Sequence, residues 1–196
     1  MSTKKTIVIA GMGRCGSTLL FKSVGGSWEK SIREIFVRDL REEDIQPGRI
    51  LKTHDFAPEF LPPYVKVVYL FGDPFEIVLS SWDKMKQKDI TQHVIHMHGA
   101  VERQEHMFSE DVFRLEENFH SWHREHSYPV LTVRYETMWQ NLDSIRDFIG
   151  KPVSLPSYKK RWNYLEGMTK SELTSLRKTY GRLKDKVTTA PDVTIW

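Results

Sequence analysis

IVIAGMGRCGSTLL, from Ile7 to Leu20, is the stretch of sequence that decides the fold. Four apolar, mostly β-branched residues lead into a glycine-rich turn, and a helix-forming segment follows the turn. Glycine at Gly11 and Gly13 lets the backbone curl closely around an anion, and the first amides of the following helix point toward that anion. The pattern predicts a strand, a phosphate-binding loop and a helix.

The loop differs from that of nucleoside-triphosphate enzymes in the position of its cation. Gly11 to Thr18 has the P-loop spacing of two glycines separated by four residues, but Ser17 stands where those enzymes place a lysine. The basic residue is Arg14, whose planar guanidinium can bind one phosphate through two hydrogen bonds. Ser17 and Thr18 add hydroxyl donors. We therefore expect an anion site without the lysine that contacts the β- and γ-phosphates.

Three later segments place polar residues directly after apolar strands. Ile50 to His54 ends in Lys-Thr-His, and Val65 to Asp73 leads into a helix that begins with proline at Pro74. A further apolar run, Pro129 to Val133, is followed by Arg-Tyr-Glu. Open α/β sheets bind ligands at the carboxyl ends of their strands, so these polar residues are predicted to share one site with the glycine loop.

Alternating strand and helix signals predict an α/β fold of three layers, with a mainly parallel sheet flanked by helices. The predicted strands cover residues 6–10, 49–52, 65–71 and 130–134. The predicted helices cover residues 17–25, 29–40, 75–87, 101–126, 137–149 and 170–186. The sequence of 196 residues contains no linker, repeat or low-complexity segment, so residues 1–196 are expected to form a single domain.

The order of these segments resembles the sulfotransferase family, whose members transfer a sulfuryl group from 3′-phosphoadenosine 5′-phosphosulfate (PAPS) to an acceptor and release adenosine 3′,5′-bisphosphate (PAP). The matching motifs, in chain order, are Arg14-Cys15-Gly16-Ser17-Thr18, Lys52-Thr53-His54, Gly72-Asp73-Pro74 with Ser80, and Tyr135-Glu136. The resemblance implies the P-loop nucleoside-triphosphate-hydrolase-like fold of the sulfotransferases. It also implies PAPS as the donor, with no metal ion.

The resemblance implies a role for each matching residue. The residues expected to bind the donor are Arg14, Cys15, Gly16, Ser17, Thr18, Ser80 and Tyr135. Ser80 would contact the 3′-phosphate and Tyr135 the adenine, although the two can also be a plain helix serine and a core aromatic residue. His54 would be the general base, and Lys52 would stabilise charge on the transferred group during an in-line displacement.

One position departs from the family pattern. The family's arginine before Asn-Pro is Gly72 in this chain, which removes a cation that would contact the 3′-phosphate. A basic residue from elsewhere could substitute for it. Arg177 and Lys178 are candidates because relatives carry a late basic pair, although this pair lies in a predicted helix.

The composition fits a compact cytoplasmic enzyme. Hydrophobic residues make up 39% of the chain, and no apolar run approaches the roughly 18 residues of a membrane span. The first strand begins near Thr6, which leaves no room for a signal peptide, and a single cysteine excludes an intrachain disulfide. The net charge of +3 helps to attract an anionic donor without favouring nucleic acid. We expect a small-molecule or carbohydrate acceptor.

Two other functions remain open at this point. A P-loop kinase acting on a small molecule is one, because Val67 to Asp73 resembles a strand that ends in a magnesium-binding aspartate. A catalytically weak adenosine-bisphosphate-binding protein is the other, motivated by Gly72, although Lys52 and His54 argue for an active enzyme.

Two further predictions concern the clustered histidines and the segment from Asp89 to Gly99. Two groups, His93, His96 and His98 and then His120, His123 and His126, match no recognised zinc spacing, so no metal site is predicted. The segment from Asp89 to Gly99 has no counterpart in the nucleotide-binding motifs. We expect acceptor recognition there.

Overall fold

The computed structural model describes residues 5–25, 40–41, 43, 45–87, 90–159 and 167–196. In these ranges five strands form one sheet in the order β2-β1-β3-β4-β5. The strands are β1 (Thr6–Gly11), β2 (Ile50–Lys52), β3 (Val65–Phe71), β4 (Val130–Arg134) and β5 (Val193–Ile195). The first four are parallel and β5 is antiparallel to β4. The four predicted strands and the mainly parallel α/β sheet are therefore confirmed, and β5 is an addition.

Six α-helices accompany these strands in the described ranges. They are α1 (Ser17–Ser23), α2 (Pro74–Gln87), α3 (Thr91–His96), α4 (Leu115–Trp122), α5 (Leu142–Ile149) and α6 (Lys170–Thr189), with 3₁₀ turns at Val101–His106 and Tyr135–Thr137. The predicted helices at 17–25, 75–87 and 170–186 are confirmed with small shifts at their ends. The predicted helix at 29–40 lies outside the described residues, except for Leu40. None of the described helices is long and apolar enough to cross a membrane.

The predicted continuous helix at 101–126 is wrong. The Asp111 carboxylate accepts hydrogen bonds from the amides of Leu115 and Glu116, each at 3.0 Å, and so caps a new helix at that point. Arg114 just before it has φ 52°, which no α-helix accommodates. The predicted helix at 137–149 likewise begins only at Leu142, after the 3₁₀ turn.

The topology places a crevice at the carboxyl end of β1. This strand lies between β2 and β3, so the connections to its two neighbours leave in opposite directions, and such a switch point is where open α/β sheets bind ligands. All six residues of β1 are buried, as expected for a strand with both faces covered. The segments that follow β1, β2, β3 and β4 all begin at this edge.

Candidate active site

The loop after β1 turns through the left-handed region of backbone space. Arg14 has φ 51° and Gly16 has φ 74°. A Cβ at Gly16 would lie 2.6 Å from Cε2 of Tyr135, so glycine is required both by the backbone and by the ring packed against it. A non-glycine residue such as Arg14 in this conformation carries strain of about 1–3 kcal/mol, which is characteristic of functional loops.

Arg14 reaches across the crevice to helix α2. Its guanidinium donates to the hydroxyl oxygen of Ser80 twice, from Nε at 3.0 Å and from Nη2 at 2.8 Å. Ser80 is buried and lies two turns into α2. The structure thus brings together the predicted residues of the 5′-phosphosulfate loop and of the 3′-phosphate site.

Lys52 and His54 form a buried pair at the end of β2. Lys52 is aligned with Ile9 in the sheet, and the Thr53 amide donates to the Ile9 carbonyl at 3.0 Å, so both side chains are held at the edge next to the loop. The Lys52 ammonium lies 3.1 Å from Nε2 of His54. Each of the two residues is only 5% exposed.

The hydrogen bonds of His54 fix its neutral tautomer. Nδ1 lies 2.7 Å from the carbonyl oxygen of Gly11, and because a carbonyl can only accept, Nδ1 carries the proton. Nε2 is therefore the unprotonated nitrogen. Burial, reinforced by the charge of Lys52, holds the pKa of His54 well below its ordinary value. Burial also lowers the pKa of Lys52 to about 7.

Helix α4 fixes the backbone of this segment. The Asn118 amide nitrogen donates to the carbonyls of His54 and Asp55, each at 3.1 Å, and its oxygen accepts from the Tyr69 hydroxyl at 2.9 Å. Trp122 Nε1 donates to the same Asp55 carbonyl at 2.9 Å. These contacts satisfy buried carbonyls that β2 leaves without strand partners, so His54 is held by a rigid polar network.

The residues surround a cavity of about 380 Å³. Its lining consists of Arg14, Gly16, Ser17, Thr18, Lys52, His54, Ser80, Lys84, His93 and Tyr135. Among the described residues that line the cavity, none is acidic and three are arginine or lysine. A volume of this size is in the range of about 300–1,000 Å³ typical of small-molecule sites. The cavity is built to accept an anion.

His93 from α3 completes the wall beside His54. The two rings meet edge to face with their centroids 6.2 Å apart. Burial, followed by the charges of Arg14, Lys84 and Lys52, lowers the pKa of His93 to about 3, so the imidazole is neutral at physiological pH. Its Nε2 is buried and has no hydrogen-bond partner among the described residues. The segment expected to recognise the acceptor therefore does reach the cavity.

Of the predicted site residues, Cys15 has a different environment from the rest. Its side chain is completely buried in the hydrophobic core, and its Sγ would lie 3.4 Å from a Cβ at Gly72. The residue does not line the cavity. The eight other predicted residues, Arg14, Gly16, Ser17, Thr18, Lys52, His54, Ser80 and Tyr135, all do.

Two cavity residues, Lys84 and His93, were missed by sequence reasoning. Lys84 follows Ser80 by four residues on α2, and this helical spacing was the signal that could have found it. His93 carried no comparable signal, because only the packing of α3 against the loop brings it to His54.

Asp73 is not placed to hold a magnesium ion. One carboxylate oxygen caps α2 by accepting from the Phe75 amide at 2.9 Å, and the other pairs with Lys184 of α6 at 2.7 Å. In the described ranges, no group of three or more His, Cys, Asp or Glu side chains could hold a metal ion.

The model of the sulfotransferase domain family matches residues 27–188, which is most of the chain. The chain belongs to the sulfotransferase family. The match begins after the glycine-rich loop, so this loop lies outside the matched residues. No curated protein gives a significant sequence match.

Fourteen chains among solved structures are significantly similar. One is a mouse sulfotransferase, SULT7A1, in a crystal structure with PAP, with a TM-score of 0.54 and 15% sequence identity. The alignment covers 96% of this chain and 86% of the mouse protein. At this identity the similarity establishes the fold alone, and it confirms the P-loop-like sulfotransferase fold.

Proposed function

We propose that residues 1–196 form a single catalytic domain that transfers a sulfuryl group from PAPS to a hydroxyl or amine acceptor. One observation carries the proposal. A cavity lined by Arg14, Lys52 and Lys84, with no acidic residue among its described lining residues, adjoins a histidine whose Nε2 is unprotonated. The cations would attract an anionic donor, and His54 would accept the proton of an acceptor.

The donor's 5′-phosphosulfate would be held at the loop. The amides of Gly16, Ser17 and Thr18 begin helix α1, and the hydroxyls of Ser17 and Thr18 line the cavity. Arg14, from the same loop, adds a guanidinium to the cavity. Tyr135, packed on Gly16, offers its ring to the adenine, and Ser80 offers its hydroxyl to the 3′-phosphate.

The reaction requires one proton transfer and one displacement. The acceptor oxygen bonds to sulfur while the bond from sulfur to the bridging phosphate oxygen breaks, and the acceptor proton passes to Nε2 of His54. In the ligand-free protein Lys52 donates to that nitrogen. A bound anion would draw the ammonium toward itself, which leaves Nε2 available as the base. The products are the sulfated acceptor, PAP and a protonated His54.

The acceptor would be a small molecule or carbohydrate that enters beside α3. His93 lines the cavity next to His54, so helix α3 is the element that an acceptor meets there. The neutral imidazole of His93 can form a hydrogen bond with an uncharged acceptor hydroxyl. The cations of the cavity then remain available to the anionic donor.

The test is transfer of radiolabelled sulfuryl from PAPS to a panel of phenols, alcohols, amines and saccharides, with EDTA present. We expect labelled product to form only when PAPS is present, and to form equally well in the presence of EDTA. Calorimetry with PAP and ATP runs in parallel, and we expect tighter binding of PAP. Metal-dependent ATP turnover would favour the kinase instead, and PAP binding without any transfer would favour the binding protein.

A further inference from the structure

The proposed donor carries a 3′-phosphate, and the family's arginine for that group is Gly72 here. Such a phosphate has a charge of about −1.5 to −2 at neutral pH. Ser80 supplies a hydroxyl but no charge, and its oxygen already accepts two hydrogen bonds from Arg14. Because Arg14 is proposed to bind the 5′-phosphosulfate, a second cation is needed for the 3′-phosphate.

The described residues around Gly72 do not provide that cation. A Cβ at Gly72 would lie 2.9 Å from Oε1 of Glu136, and that oxygen accepts from the Asp73 amide at 3.1 Å. Lys184 is the nearby base, and its ammonium pairs with the Asp73 carboxylate at 2.7 Å. Among the described residues, two carboxylates and one ammonium give this corner a negative charge, which repels a phosphate.

The predicted basic pair of the C-terminal segment does not provide it either. Arg177 and Lys178 are both exposed on α6. Neither lines the cavity, and Lys178 faces a different depression, which it shares with Ser109 and Glu110.

Lys84 meets the requirement. It lies four residues after Ser80 on α2, so the two side chains project from the same face one turn apart. It lines the same cavity as Ser80 and Arg14, and its charge is one of the causes that lower the pKa of His93, after Arg14 and before Lys52. Its charge therefore acts inside the cavity.

We propose that Lys84 is the residue that binds the 3′-phosphate of the donor and makes the site prefer an adenosine 3′,5′-bisphosphate over a 5′-monophosphate. The assignment rests on the proposed function. A single helix then supplies both the hydroxyl and the charge of this subsite, which explains how the chain can carry glycine at position 72.

The experiment compares PAP with adenosine 5′-monophosphate by calorimetry on the wild type, Lys84→Gln and Lys86→Gln. Lys86 is the matched control because it lies on the same helix, is exposed and stacks its ammonium on Trp82. We expect Lys84→Gln to weaken PAP binding by about 10- to 100-fold and to leave the monophosphate unchanged. Lys86→Gln should bind both ligands like the wild type, and Lys84→Arg should restore part of the preference.

Thermal unfolding of each variant establishes that it is folded before binding is compared. A wild-type preference for PAP that survives in Lys84→Gln would overturn this assignment alone. Loss of the preference in Lys184→Gln, with Lys84→Gln unaffected, would also overturn it and assign the charge to Lys184. A wild-type protein that binds no PAP would overturn the proposed function itself.

Discussion

The Arg14 guanidinium donates two hydrogen bonds to the hydroxyl of Ser80, 66 residues away in sequence, at 3.0 and 2.8 Å. The contact joins the loop after β1 to helix α2 across the mouth of the cavity. The loop end and the helix end of the proposed donor site are therefore joined by a direct side-chain contact.

The neighbouring serines of α2 allow a controlled test of this contact. Ser80→Ala should weaken PAP binding by about 2- to 10-fold, because a hydroxyl contributes about 0.5–1.5 kcal/mol and Arg14 loses the partner that orients it. Ser81→Ala is the control, since the Ser81 hydroxyl donates to the Ile77 carbonyl within the helix at 2.9 Å. Equal PAP affinity for the two variants in calorimetry would show that Ser80 is only a helix serine.

His54→Ala should abolish transfer while PAP binding persists. A general base contributes on the order of 10²–10⁴-fold in rate, whereas other residues hold the nucleotide. Single-turnover transfer from labelled PAPS measures the chemical step, and calorimetry measures binding. The exposed His106, changed to alanine, is the control. Near-normal single-turnover rates in His54→Ala would return this histidine to a structural role.

PAP binding at pH 8 should be accompanied by proton uptake at Lys52. Burial lowers the pKa of this ammonium from 10.5 to about 7, so at pH 8 it is mostly neutral in the ligand-free protein. A bound anion favours the charged form and raises the pKa, which takes up a proton. PAP affinity should therefore fall as the pH rises above about 7.

The uptake can be measured by calorimetry in buffers of different ionisation enthalpy. Lys52→Arg is the matched variant, because a guanidinium stays charged throughout this range and has no proton to gain. The same proton uptake in wild type and Lys52→Arg would place the titrating group elsewhere.

Asn118→Ala should lower the free energy of unfolding by about 2–4 kcal/mol, because each buried polar group that loses its partner costs about 1–3 kcal/mol. The groups that lose their Asn118 partner are the carbonyl of His54 and the hydroxyl of Tyr69, whereas the Asp55 carbonyl keeps the Trp122 donor. Denaturant unfolding measures the change. Asn141→Ala is the comparison, since among the described residues that side chain donates to a single group, the Thr137 carbonyl. A similar loss in both variants would contradict a special role for the Asn118 network.

Gly72→Ala should destabilise the fold through Glu136. The new Cβ would lie 2.9 Å from Oε1 of Glu136, which forces the carboxylate away from the Asp73 amide. A hydrogen bond to a charged group is worth about 1.5–3 kcal/mol, and we expect a loss near the lower end because the side chain can relax. In a Glu136→Ala background, Gly72→Ala should lower the free energy of unfolding by much less. Additive unfolding free energies in this double-mutant cycle would refute the coupling.

The strands and the site motifs were predictable because they depend on local sequence. Buried parallel strands are continuous apolar runs, and the polar residues that follow them must lie at one edge of the sheet. The positions of Arg14, Lys52, His54 and Ser80 around one cavity follow from that rule. The prediction of one helix at 101–126 was wrong because two features interrupt it. The Asp111 carboxylate caps a new helix, and the backbone of Arg114 is left-handed.

The sequence by itself determined the parallel α/β sheet, the glycine loop and the side chains at the strand ends. Only the tertiary structure decided the protonation and partners of those side chains. The carbonyl of Gly11 selects the tautomer of His54, and burial lowers the pKa of Lys52. Tertiary packing also brings Lys84 and His93 to the cavity and places the Glu136 carboxylate against Gly72. Periodicity is local in the chain, whereas desolvation and charge depend on groups that only folding brings together.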